Sequence, residues 1–206
     1  MTDNHAITTV DQLEALYGEV GEASRRKEVD HVHPAYRSMI EASPFCVLAT
    51  SGPDGLDASP RGDPAGFVVV QDEHTLLLPD RRGNNRIDSL RNLVADPRMA
   101  LLFLIPGKGE TLRVNGRAAI SADPALLERF AVEGKPPRSV LVVSVETVYF
   151  QCARAIHRSR LWTAAAEGEV PAVPTAGTVL SALTDAAIDG DKYDRELPAR
   201  QHSTLY

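Results

Sequence analysis

The sequence predicts a mainly β fold, a six-stranded antiparallel barrel with peripheral helices. Three observations carry this reading. Short apolar, strand-like runs recur between residues 45 and 150. Most are joined by compact turn clusters such as SGPDG, QDEH and PGKGE, which suit hairpins. Helical periodicity is confined to a few short stretches, whereas a parallel α/β sheet needs a helix after nearly every strand.

Taken in order, residues 9–27 read as helical, because Val10, Leu13, Leu16, Tyr17 and Val20 share one face and Asp11 suits a first turn. A second helix is expected after His33, with Pro34 at its first position, Tyr36, Met39 and Ile40 aligned, and Pro44 ending it. The period then changes. Residues 45–50 and 56–59 read as one hairpin, and 67–70 and 75–78 as a second. A helix is predicted over 84–95, with Asn85 as N-cap and Asp88 three residues on in a capping-box pattern. Residues 99–105 and 111–121 form the next pair; in the latter Leu112, Val114, Ala118 and Ile120 point inward and Arg113, Asn115 and Arg117 outward. A short helix over 123–131 carries Leu126, Leu127 and Phe130, and 139–150 reads as a strand buried on both faces. The tail opens with a Pro/Ala/Gly linker, forms one weak helix over 179–188 and ends polar. One domain spans 1–206: N-terminal helices (1–43), barrel (44–162), then linker and C-terminal helix or tail (163–206).

Composition narrows the function classes. At 206 residues, 43% apolar and 24% charged, the chain suits one well-buried domain. A net charge of −6 argues against nucleic acid as the main partner. No apolar stretch approaches a membrane span, and the N-terminal residues lack the basic-then-apolar order of a secretory signal. Cys46 and Cys152 have no CxxC spacing, so both are expected reduced and the protein cytoplasmic. His31 and His33 lack companion ligands, so no metal site is expected. No GxGxxG, Walker, GxSxG or HExxH motif points to Rossmann binding, phosphoryl transfer, hydrolysis or zinc chemistry.

The stretch from Ser59 to Arg86, SPRGDPAGFVVVQDEHTLLLPDRRGNNR, carries the chemistry. A strand delivers arginines and small polar residues to the start of a helix, where backbone N–H groups are unsatisfied and the dipole favours anions. Arginine grips phosphate with two parallel bonds. Arg81, Arg82 and Asn85 are therefore read as a phosphate-anchoring loop, with Arg61 a further candidate.

Four segments, SPFCVLATSGPDGLDASPRGDPAGFV, LLLPDRRGNNRIDSLRNL, ETLRVNGRA and CARAIHRSRLW, occur in an order and spacing that resembles the pyridoxamine 5′-phosphate oxidase-like family of flavoproteins. The resemblance covers about residues 11–206 and is nearest to a branch of FMN-dependent members. It implies an FMN-binding split barrel, a homodimer, and FMN in a groove between the two subunits. It implies that Arg61 and the loop residues Arg81, Arg82, Asn84, Asn85 and Arg86 hold the FMN phosphate, and that Arg158, Ser159 and Trp162 approach the flavin from the other subunit. The implied activity is that of an FMN-dependent oxidoreductase passing hydride to or from flavin, without a protein nucleophile. The Arg-x-His element that grips the B6 phosphate in the classical oxidase is not matched in CARAIHRSRLW, where His157 and Arg158 are adjacent. A non-catalytic flavin binder, a haem-binding split barrel using His157, and a deazaflavin-binding relative stand as alternatives.

Overall fold

The structure, a computed structural model, describes residues 5–164, 166–169 and 171–206. Three short helices come first: α1 (Val10–Tyr17), α2 (Glu22–Arg26) and α3 (Pro34–Ala42). They are followed by β1 (Phe45–Gly52), β2 (Gly55–Gly62), β3 (Val69–Asp72), β4 (Thr75–Asp80), α4 (Asp88–Ala95), β5 (Arg98–Leu104) and β6 (Thr111–Ser121). The chain continues through α5 (Pro124–Arg129), the long β7 (Ser139–Gln151), α6 (Arg154–Ser159), α7 (Ala176–Leu183) and α8 (Gly190–Ser203).

All strands join one antiparallel sheet in the order β2-β1-β5-β6-β7-β4-β3. The count is seven, not the expected six, because each of the seven strand-like runs, the short edge strand β3 included, joins the sheet. Five strand spacings separate β2 from β4 in this ladder, about 24 Å if the sheet were flat. Yet Arg61 on β2 lies 3.9 Å from Asp80 on β4. The sheet therefore curls into a barrel, and its ladder stays open between β2 and β3. With no strand ladder closing that seam among the described residues, the interior holds the curl. Leu48, Leu76, Leu101, Phe103, Leu112 and Leu141 belong to one fully buried cluster, and each such side chain contributes about 2 kcal/mol.

Most elements form where the residue pattern places them, and the exceptions have physical causes. The expected helix over 9–27 is two helices, broken where Gly18 caps α1 at φ 72° and Gly21 begins α2. Helix α3 starts as expected at Pro34, with the His33 ring nitrogen accepting from Ala35 N at 3.2 Å. On β6, Leu112, Val114 and Ala118 are buried, but Ile120 lies beyond the core and is exposed. Strand β7 is buried on both faces only over its first residues, where Val140 packs with Leu77 and Phe130; it alternates thereafter. Opposite Gly116, β7 carries an extra residue, Glu146, as a bulge. Close approach there requires glycine, because a Cβ on Gly116 would sit 2.1 Å from Ser144 O.

Helix α4 lies over the β1–β2 hairpin. Asn92 Nδ2 donates to Thr50 Oγ1 (3.2 Å) and to Gly55 O (3.3 Å), and Gly52 leaves room for the Asn92 amide, which a Cβ would meet at 2.2 Å. The tail is more ordered than expected. Helices α7 and α8 form a hairpin in which Asp194 accepts from Gly177 N at 2.8 Å. Among the described residues no helix is long and apolar enough to cross a membrane.

Candidate functional site

A cavity of about 500 Å³ opens at the barrel seam, between β2 and the end of β4 and beneath the loop leading into α4. Strand register explains its polar wall. Arg61, Ser59 and Asp57 of β2 lie opposite Cys46, Leu48 and Thr50 of β1 and so share their core-facing side. The intervening Leu56, Ala58 and Pro60 face outward. This edge strand thus turns its polar residues in and its apolar residues out, and the interior beneath it becomes a charged pocket.

Five arginines (61, 81, 82, 86 and 138) and three aspartates (57, 80 and 88) line the cavity. Fully ionised, this set carries an excess of positive charge suited to a dianion. The arginines are tied down unequally. Arg61 donates to Ser89 Oγ at 3.2 Å and to Pro60 O at 3.0 Å, beside Asp80. Ser89 and Ser59 in turn donate to the Asp57 carboxylate. Arg81 donates through Nε to Asp63 Oδ2 (2.7 Å) and through Nη1 to Phe130 O (2.6 Å). The other Asp63 oxygen accepts from the Tyr206 hydroxyl at 2.7 Å, and the Tyr206 ring lies 5.5 Å from the Arg81 guanidinium. Arg86 pairs with Asp88 at 2.8 Å, and that bond raises its pKa above the ordinary arginine value. Burial pushes the Asp80 carboxyl up, against the pull of Arg61 and Arg138.

The loop into α4 departs from the sequence expectation. The helix begins at Asp88, not at residue 84, and its N-cap is Ile87 in the left-handed region with no capping side chain. Asn85 is not the cap. It too is left-handed, at φ 63°, and its Oδ1 accepts from Arg138 Nη1 at 3.0 Å. Asn84 makes the local turn instead, accepting from Arg86 N at 3.1 Å. The capping-box pattern fails because two positive-φ residues, one of them β-branched Ile87, fold the chain back before the helix starts. One consequence is an α4 N-terminus left uncapped toward the cavity.

Arg61, Arg81, Arg82, Asn84, Asn85 and Arg86 are thus brought together around one cavity. Arg158, Ser159 and Trp162 are not. They follow the Gln151 end of β7, whereas the cavity sits at its Ser139 end, 13 residues or about 40 Å of strand away. Trp162 Nε1 donates there to Lys108 O at 2.6 Å, and His157 packs against Gly109. Arg113, on the barrel wall, donates to Tyr149 Oη at 2.8 Å.

Several site residues lay outside the sequence reading: Asp57, Ser59, Asp80, Ser89, Asp63, Tyr206 and Arg138. The period-2 alternation of DASPR was the available signal for the first two, but alternation alone does not say which side faces in. Among the described residues, no cluster of three or more metal-ligating side chains is present.

An antiparallel barrel with an arginine-lined pocket at its open seam defines the class, and comparison with known proteins gives the family. The family model described as pyridoxamine 5′-phosphate oxidase matches residues 32–152, more than half of the chain. The chain belongs to that family. No curated protein matches it significantly. Similar solved structures include HupZ of Group A Streptococcus, 18% identical over 58% of this chain and 94% of that one, with a TM-score of 0.47. Another is a Clostridium acetobutylicum protein related to general stress protein 26, of the pyridoxinephosphate oxidase family, 16% identical over 56% and 84% of the two chains, with a TM-score of 0.44. A third is a FAD-binding protein of Mesorhizobium loti, 16% identical over 55% and 87%, with a TM-score of 0.40.

Proposed function

We propose that the protein is an FMN-dependent oxidoreductase, acting as a homodimer, whose seam cavity holds the terminal phosphate of FMN. The observation that carries this reading is the cavity itself: five arginines over three aspartates at an uncapped helix N-terminus. Guanidinium forks and free backbone N–H groups are the donor set that phosphate takes. Beside the cavity, Ser139 Oγ is buried without a hydrogen-bond partner, and Ser139 pairs with Asp80 across the ladder. A buried hydroxyl of this kind is a ready donor for a bound polar group. Membership of the pyridoxamine 5′-phosphate oxidase family supports flavin as the group attached to the phosphate.

When bound, FMN supplies the hydride chemistry, and the chain contributes position and electrostatics. Arg61 is held in place by Ser89 and Pro60 O, so it meets an anion without reorganising. The outward faces of β2, β1 and β5 supply a surface for a second subunit: Ala58, Ala49 and Ala100 form one row, and Pro60, Val47 and Leu102 the next. Leu56 beside them is 88% exposed. A two-fold contact through such a face would cover it, and would give Arg158, Ser159 and Trp162 of one chain a route to the cavity of the other.

An absorption spectrum of the purified protein, followed by denaturation and identification of the released chromophore, tests the cofactor. The expected result is yellow protein releasing FMN at about one per chain, for one phosphate pocket per chain. Colourless protein that takes up no added FMN would contradict the reading. Faster reduction of bound than of free FMN by a nicotinamide donor separates an enzyme from a flavin binder.

A further inference from the structure

The unequal commitment of the five arginines singles out one that lies outside the phosphate loop. Arg81 is spent on Asp63 and Phe130 O. Arg86 is spent on Asp88, and Arg61 is shared between Ser89 and the nearby Asp80. Among the described residues two cations are bonded to no carboxylate, Asp80 pulling on Arg138 only from a distance. Arg82 has no hydrogen bond or ion pair among the described residues, and the one bond of Arg138 goes to a neutral amide oxygen, Asn85 Oδ1, at 3.0 Å. Arg138 leads directly into β7 next to the unpartnered Ser139, so it reaches the cavity from a different strand than Arg82, which follows β4.

We infer that Arg138 is a direct ligand of the phosphate monoester, exchanging Asn85 Oδ1 for a phosphate oxygen, and that Arg82 and Arg138 together supply most of the charge that holds it. This deepens the FMN reading and rests on it. The exchange is favourable because Arg138 trades a neutral amide oxygen for an anionic one, to which its guanidinium can also bond in bidentate fashion. It strands no group, since Asn85 is exposed and its released oxygen meets water. Recruiting Arg81 instead would strip the carboxylate of Asp63, whose side chain is only 4% exposed, of its cation. Arg81 is accordingly a positioning residue, and Arg138 takes the role that the loop sequence assigns to it.

The test compares the wild-type protein with Arg138→Gln and Arg138→Lys. Flavin fluorescence gives the affinities for FMN and for riboflavin, which lacks the phosphate, and calorimetry gives that for inorganic phosphate. Arg138→Gln is expected to weaken FMN about 10- to 100-fold, the effect of losing one hydrogen bond between charged groups, while leaving riboflavin nearly unchanged. Arg138→Lys should recover part of the loss. Unchanged FMN affinity in Arg138→Gln, or equal loss for FMN and riboflavin, would overturn the inference and leave the FMN reading intact. A wild-type protein that binds neither flavin but binds phosphate, more weakly in Arg138→Gln, would sustain the inference and overturn the FMN reading. A wild-type protein that binds none of the three would overturn both.

Discussion

At the scale of single residues, the Asp63 carboxylate joins three parts of the chain that are far apart in sequence. It follows β2, accepts from Arg81 after β4, and accepts from Tyr206 beyond α8. Arg81→Ala would leave this buried carboxylate without its cation, at a cost of about 3 kcal/mol. Tyr206→Phe removes one hydrogen bond and should cost about 1 kcal/mol. Urea unfolding of both variants measures this, and equal losses would contradict the ranking. Cys46 gives a pH signature. Burial pushes its thiol up to about 12 from 9.0, so between those values the unfolded chain releases a proton that the folded chain keeps. Stability should therefore fall as pH rises above about 9, and Cys46→Ala should flatten that slope. An identical slope in the variant would show that other groups set it. The arginines were legible as residue types in the sequence. Their partners were not, because Asp63, Phe130 and Tyr206 come to Arg81 only through the tertiary fold.

At the scale of elements, β2 and the loop into α4 build the site by departing from ordinary patterns. Strand β2 turns Asp57, Ser59 and Arg61 toward the core side, where they line the cavity at the open seam. The loop holds Asn85 and Ile87 at positive φ, and the helix after it starts without a side-chain cap. Sequence reading located the loop from its strand–arginine–helix order but misplaced the helix start, because Asn85 followed by Asp88 mimics a capping box. It missed the length of α8, whose residues GDKYDRELPARQHS show no apolar face and include Pro198. The β6–β7 pair offers a direct check on the barrel wall. Gly116→Ala forces a Cβ against the Ser144 carbonyl and should destabilise by about 2–3 kcal/mol. Calorimetric melting measures it, and an unchanged midpoint would mean that the bulge is not the close contact described.

At the scale of the whole molecule, the barrel is open where the cavity lies, and α6 sits at the other end of β7. The two regions belong to one site only if two chains meet. Mixing subunits tests that arrangement. Arg61→Ala and Trp162→Ala would each impair every site of their own homodimers. Unfolded and refolded together in equal amounts, they should regain about one quarter of the wild-type FMN sites, since half of the dimers are mixed and each mixed dimer has one intact site. Loss in both variants without recovery on mixing would place both residues in the same subunit's site, and full binding in either variant would place that residue outside it. The curl of the sheet was legible in the sequence only as an antiparallel barrel. Its open seam was not, because it depends on Arg61 and Asp80 meeting across five strand spacings of the ladder. A crystal structure of the protein grown with FMN tests whether this seam holds a flavin phosphate. The expected result is the phosphate within hydrogen-bonding distance of Arg61, Arg82 and Arg138, with the flavin ring extending toward a second subunit. A flavin bound elsewhere, with the arginine cavity holding only water, would contradict it.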